Sequence, residues 1–158
     1  MVMEQMIKKE ALLKVAEVEL VYKSKVKAAE RPLVQSSTDA ANVLRILWEE
    51  GKMELVEQFK VLFLNRANKV IGIYNVSSGG VTGTVADPKL IFTAALRVNA
   101  VIIILCHNHP SGSLKPSRAD EEFTQKIKQA GSFLDIKVLD HIILSSESYF
   151  SFADEGLL

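Results

Sequence analysis

Apolar positions change their period several times along the chain, and each change predicts an element. Residues 16–22 set Glu17 and Glu19 in alternation with Val18 and Leu20, the pattern of a half-exposed strand. Residues 1–10 lack such a period and read as frayed or loosely helical. Ser37, Thr38 and Asp39 form an N-cap cluster ahead of a helix through Leu44 and Trp48, with Gly51 as its stop. Two apolar runs, 59–64 and 70–75, flank the polar stretch 65–69 and predict a hairpin. Asp87 and Pro88 then open a second helix through Leu90, Ala94, Ala95 and Val98, which Asn99 stops. Residues 101–105 are apolar without alternation, so both faces of this strand are covered and it lies centrally in its sheet. A third helix starts at Ser117 and ends near Gly131, and residues 136–144 supply one or two further strands.

The resulting order, β-α-β-β-α-β-α-β, predicts an α/β fold in which helices pack on the faces of a mixed sheet. The glycine-rich stretch 77–84 lacks the Gly-Lys-Ser/Thr ending of a phosphate-binding loop and opens no helix directly, so it reads as a connection. A length of 158 residues fits one compact domain. Residues 1–36 read as an N-terminal extension with one strand, and residues 37–158 as the domain proper. At 48% hydrophobic and 24% charged residues the chain has the balance of a soluble domain. No uninterrupted apolar stretch approaches the ~20 residues that span a bilayer, so no membrane partner is expected. The start of the chain lacks the apolar core of a secretory signal, and the cytoplasm is the expected location. Nineteen basic residues offset nineteen acidic ones, which leaves no global positive field for phosphate backbones. The lysines at 23, 25 and 27 read as a solvated edge that discourages sheet-to-sheet pairing.

Candidate chemistry follows the buried strand directly. His107, His109, Ser117 and Asp120 stand at spacing H-x-H-x7-S-x2-D. Histidines at i and i+2 of an extended segment project from the same side, so both imidazoles can reach one ion. A carboxylate closing the loop adds a third ligand, and zinc with three protein ligands keeps a fourth position for water. Cys106 is the sole cysteine, which excludes a closed thiolate site and an internal disulfide and agrees with a reducing compartment. Three adjacent residues His-Asn-His do not make an HNH nuclease, whose named residues are dispersed over a ββα unit. Ser111 and Gly112 occupy the places where a metallo-β-lactamase motif needs acid and histidine. Ser117 and Asp120 also suit a capping box, which accounts for the serine and the acid but not for the histidines.

This spacing resembles the JAMM signature of MPN-domain metalloproteases. The longer string from His107 to Gly112, with Pro116, Ser117 and the later run from Asp140 to Ile143, is similar to the RadC branch, and the similarity runs from about Ser37 to the C-terminus. The resemblance implies a three-layer architecture akin to cytidine deaminases. It also implies a zinc-dependent metallopeptidase or isopeptidase acting on amide bonds of a protein or peptide substrate. Zn2+ would then sit on His107, His109 and Asp120, and Ser117 would donate to the oxyanion, a role worth roughly 3 kcal/mol where measured. JAMM enzymes take their general base from a glutamate upstream of the histidines, which selects Glu57, with Glu54 as the alternative. Either His141 or Asp140 could orient a ligand imidazole. Cys106 points into the core, Pro110 and Gly112 shape the loop, and Lys115 and Arg118 lie near the substrate path. RadC proteins have traditionally been linked to DNA repair, which gives a nucleic-acid-associated role as a second expectation. Longer members carry a helix-hairpin-helix segment, for which the 36 residues ahead of the match are too few. A metal-binding adaptor without turnover is the third expectation.

Overall fold

The structure is a computed structural model that describes residues 14, 16–79 and 86–158. Its strands are β1 (Gln58–Leu64), β2 (Val70–Ser78), β3 (Ile102–Asn108), β4 (Lys137–Leu144) and β5 (Tyr149–Ser151). They form one sheet of order β2-β1-β3-β4-β5. β1 is buried at every position and β3 at all but its first, so the central place expected for residues 101–105 is observed. β1 runs antiparallel to both β2 and β3, β3 runs parallel to β4, and β5 returns antiparallel to β4.

Helices α1 (Ser37–Leu47), α2 (Pro88–Arg97) and α3 (Arg118–Phe133) cover the two faces. Ala40, Ala41 and Leu44 of α1 pack with Leu62, Leu64, Ile104, Cys106 and Ile142 on one face. Ile91, Phe92 and Ala95 of α2 and Ile127 of α3 pack with Phe59, Val61, Ile103 and Leu105 on the other. The expected layered α/β arrangement with a mixed sheet is therefore present. Strand alternation assigns the chemistry to faces: His107 follows Ile103 and Leu105 toward α2 and α3, whereas Asn108 follows Ile104 and Cys106 toward α1.

Several boundaries differ from the sequence pattern. Residues 16–22 form no strand; Val18 and Leu20 are 84% and 80% exposed, and the Tyr22 hydroxyl donates to Ile71 O at 2.5 Å. Alternation records two unlike faces but not whether a partner edge is available. Among its described residues the extension therefore carries no strand, and the described helices and strands follow the order α-β-β-α-β-α-β-β. Helix α1 starts from Ser36, whose hydroxyl accepts from Asp39 N, and ends at Leu47 rather than Gly51. Trp48 leaves the helix to pack in the α1-side core, with the Lys60 ammonium 4.9 Å from its ring centroid. Asp87 and Pro88 cap α2 as expected, and Asn99 ends it at a φ of 55°. Gly131 does not end α3. A Cβ there would lie 2.5 Å from Ile136 O, so glycine permits the close approach of α3 and the following strand, and Asp135 takes the left-handed turn at a φ of 54°. Residues 1–10 and most of the glycine-rich connection lie outside the described residues, while Ser77 and Ser78 belong to β2.

Candidate metal centre

The site forms where β3 leaves the sheet and α3 begins. Phe59 pairs with His107 across β1 and β3, and their rings stack with centroids 5.9 Å apart, fixing an imidazole that is 2% exposed. Beyond Asn108 the chain turns tightly, with Gly112 N–H donating to His109 O at 2.9 Å. Pro110 presets the first corner of this turn, and Gly112 takes a φ of 81° that side-chain-bearing residues rarely adopt. The turn brings Ser113 O to 2.7 Å from His109 Nδ1. A carbonyl only accepts, so Nδ1 carries a proton, and in the neutral ring Nε2 carries the lone pair.

The same reasoning runs through a buried chain to His107. Thr124 donates its hydroxyl hydrogen to Asp120 O at 2.6 Å, so at 2.6 Å from His141 Nδ1 it can only accept. His141 Nε2 is then an acceptor, and the 2.7 Å contact to His107 Nδ1 places the proton on His107 Nδ1. Burial holds His141 well below the ordinary imidazole range and keeps it in the neutral form this chain requires. Its ring stacks on Phe152, centroids 4.6 Å apart. Both ligand-candidate imidazoles therefore present Nε2 lone pairs, and these two atoms stand 3.0 Å apart. Two lone pairs at that distance repel unless a cation or proton lies between them.

Two carboxylates border the pair. Asp120 Oδ1 is 3.5 Å from His107 Nε2, and Glu57 Oε1 is 3.8 Å from His109 Nε2. Donor atoms of Glu57, His107 and His109 all lie within 4.8 Å of one another, an arrangement suited to a metal ion. Asp120 divides its oxygens: Oδ2 accepts from Ser117 N at 2.7 Å in a complete capping box, and Oδ1 faces His107. One oxygen thus caps the helix while the other faces His107, and the carboxylate whose donor atom converges with both imidazoles is that of Glu57. Burial works to raise the Asp120 carboxyl, but the Ser117 hydrogen bonds, together with the hydrogen bond and charge that a proton on His107 Nε2 supplies when no cation lies there, outweigh it and hold the group well below the usual carboxylate range. Ser117 Oγ accepts from Asp120 N at 3.1 Å, and the same hydroxyl lies against the Asp120 carboxylate.

The other residues singled out in the sequence fall elsewhere. Glu54 is bonded by the Ser146 hydroxyl at 3.1 Å, on the far side of a cleft of about 460 Å³ that opens beside His109 and the turn ending at Gly112. Of the two candidates for orienting an imidazole, His141 touches His107. Asp140 points to the other face, where it accepts from Ser151 Oγ, His141 N and Ala153 N and joins β4 to β5. Burial raises the Asp140 carboxyl despite those bonds. Cys106 is fully buried among α1-side core residues, and burial raises its thiol. Arg118 pairs with Glu122 at 2.8 Å, and Lys115 is exposed. Sequence reasoning missed Thr124, although its place four residues after Asp120 on one helix face is a usable signal. It also missed the side chain of Asn108, whose partners are all backbone groups.

Residues 34–157 match the RadC-like JAB domain. The chain is 48% identical over 124 residues to a UPF0758 protein of Flavobacterium johnsoniae, covering 78% of this chain and 53% of that protein. It is 45% identical over 103 residues to one from Symbiobacterium thermophilum, covering 65% and 44%. A third, from Trichlorobacter lovleyi, is 35% identical over 156 residues, covering 98% and 68%. The chain spans about half the length of the first two of these relatives. With its mixed sheet, its H-x-H strand end and a match over most of its length, the chain belongs to the RadC family of JAB/MPN domains.

Proposed function

We propose that this domain is a zinc-dependent hydrolase of amide bonds, a metallopeptidase or isopeptidase. The observation that carries the reading is the convergence of two Nε2 lone pairs at 3.0 Å, each fixed by a hydrogen bond on its other ring nitrogen, beside two carboxylates. Mixed imidazole and carboxylate donors suit zinc. His107, His109 and Asp120 would hold it, and the ion would supply Lewis-acid chemistry, acidifying a water and polarising a carbonyl oxygen. Glu57 takes the attacking water's proton and passes it to the leaving amine, a contribution of about 10²–10⁴ in rate. The Ser117 hydroxyl donates to the oxygen on which negative charge develops. A protein or peptide strand reaches these groups through the cleft beside His109.

The test pairs metal content with turnover. Purified protein is expected to carry near-stoichiometric zinc and to cleave members of a quenched-fluorescence peptide library. Glu57→Gln keeps the zinc and loses about 10²-fold or more in rate, whereas Glu54→Gln, whose carboxylate faces Ser146, is nearly silent. Wild-type rates in both variants would remove the proposed base. Zinc binding without any cleavage would leave a metal-binding adaptor.

A further inference from the structure

We infer that Asn108, the residue between the two histidines, is a positioning residue that sets the carboxylate of Glu57 against the metal cluster. This inference rests on the role proposed above for Glu57. Strand alternation turns Asn108 away from His107 and His109, toward the α1 side of the sheet, where it is fully buried. Its amide is committed on three sides: Oδ1 accepts from Gln58 N at 2.8 Å, and Nδ2 donates to Met53 O at 2.7 Å and to Val56 O at 2.9 Å. All three partners are backbone groups of the segment that carries Glu57.

The placement of these bonds explains why a side chain is needed there. Register between β1 and β3 ends at the pair Phe59 and His107, so Gln58 lies beyond the last backbone rung. Asn108 supplies one more rung from its side chain. The groups it holds, Val56 O and Gln58 N, lie immediately before and after Glu57, so the backbone is pinned on both sides of that residue. Gly79 N–H, donating to Glu57 O at 2.8 Å, holds the same segment from the β2 side. The residue that bridges the ligand histidines in sequence thus ties the base to them in space. Aspartate would keep the Gln58 bond but would set an anionic oxygen against two carbonyls, and alanine would leave all three backbone groups without this partner.

The experiment uses the full chain, reconstituted with zinc, as wild type, Asn108→Ala, Glu57→Gln and the double variant. Amide hydrogen exchange reports on residues 53–58 without reference to activity, and zinc stoichiometry is measured alongside it. Turnover is measured on the library peptide that the wild type cleaves fastest. Asn108→Ala is expected to lose protection confined to residues 53–58 and to keep its zinc. It should lose about 10²-fold in kcat, the cost of an ångström-scale misplacement, with KM little changed. The double variant is expected to be no slower than Glu57→Gln alone, because Asn108 acts through that carboxylate. Unchanged protection at residues 53–58, or a double variant whose loss is the product of the two single losses, overturns the inference. If Asn108→Ala does not fold, Asn108→Asp, of the same size, carries the same measurements. If zinc-loaded wild type cleaves none of the library, the hydrolase reading falls separately. The exchange arm then decides alone: lost protection supports the tie to Glu57, and retained protection refutes it.

Discussion

Replacing His141 by phenylalanine tests whether the buried chain behind His107 prepares it for a metal. The ring shape between Phe152 and Phe59 is retained, but the acceptor 2.7 Å from His107 Nδ1 is lost. In the variant His107 can relieve its stranded N–H by moving the proton to Nε2, the atom that faces the cluster. Metal binding must then push that proton back and leave Nδ1–H buried without a partner, at a cost of about 1–3 kcal/mol. Since each ~1.4 kcal/mol is tenfold in affinity, zinc should bind roughly 5- to 150-fold more weakly. Competition titration against a chromophoric zinc chelator measures this directly. His141→Gln, whose amide carbonyl can again accept from His107, should recover part of the loss. Wild-type zinc affinity in His141→Phe, with the variant folded, would show that the chain does not set the tautomer of His107.

Asp120→Asn keeps an acceptor for Ser117 N, so its capping loss should stay at about 1 kcal/mol or less while zinc affinity, read by the same titration, falls strongly. The Asp120 carboxyl sits below its unfolded value near 3.9, so its contribution is complete above about pH 4 and fades as pH falls further. Urea midpoints of the metal-free protein at about pH 3 and pH 6 should therefore differ more for wild type than for Asp120→Asn. Gly131→Ala gains up to about 1 kcal/mol of helix propensity but drives a methyl into Ile136 O, a backbone atom that cannot swing aside. A net loss of about 1–3 kcal/mol is expected, visible as a lower Tm in thermal melts, and an unchanged or higher Tm would contradict the contact. With a formal net charge of zero, binding to duplex DNA should be weak, fall steeply with salt and vanish near physiological ionic strength in fluorescence anisotropy.

Much of the fold was legible because burial leaves a periodic trace. The unbroken apolar run 101–105 marked a central strand, and Asp87, Pro88 and Ser117 marked helix starts that the structure repeats. Features set by partners distant in sequence were not legible. Residues 16–22 have the alternation of a strand without an edge to pair with among the described residues, and β5, at three residues, is too short to leave a period. Gly131 looked like a helix stop, because its real reason is a backbone atom five positions later. The histidine pair was readable from spacing alone, yet the choice between Glu57 and Glu54 was not. It depends on how an irregular segment is tied down, and the ties come from Asn108 and Gly79. Nor could spacing show that Asp120 faces Ser117 with one oxygen and His107 with the other.

The parallel pairing of β3 with β4 has a consequence for how this site can change over time. Parallel neighbours require a crossover, and here it is α3, so one continuous stretch from His107 to His141 contains both imidazoles, Ser117, Asp120, Thr124 and the supporting histidine. Glu57 alone arrives from a different part of the chain, at the start of an antiparallel neighbour. On the roles proposed above, ion capture and proton transfer would therefore be written in separate blocks of sequence. A lineage can lose the second by drift at one position before β1 while the first stays under selection intact, and silent metal-binding descendants are an easily reached outcome of this topology.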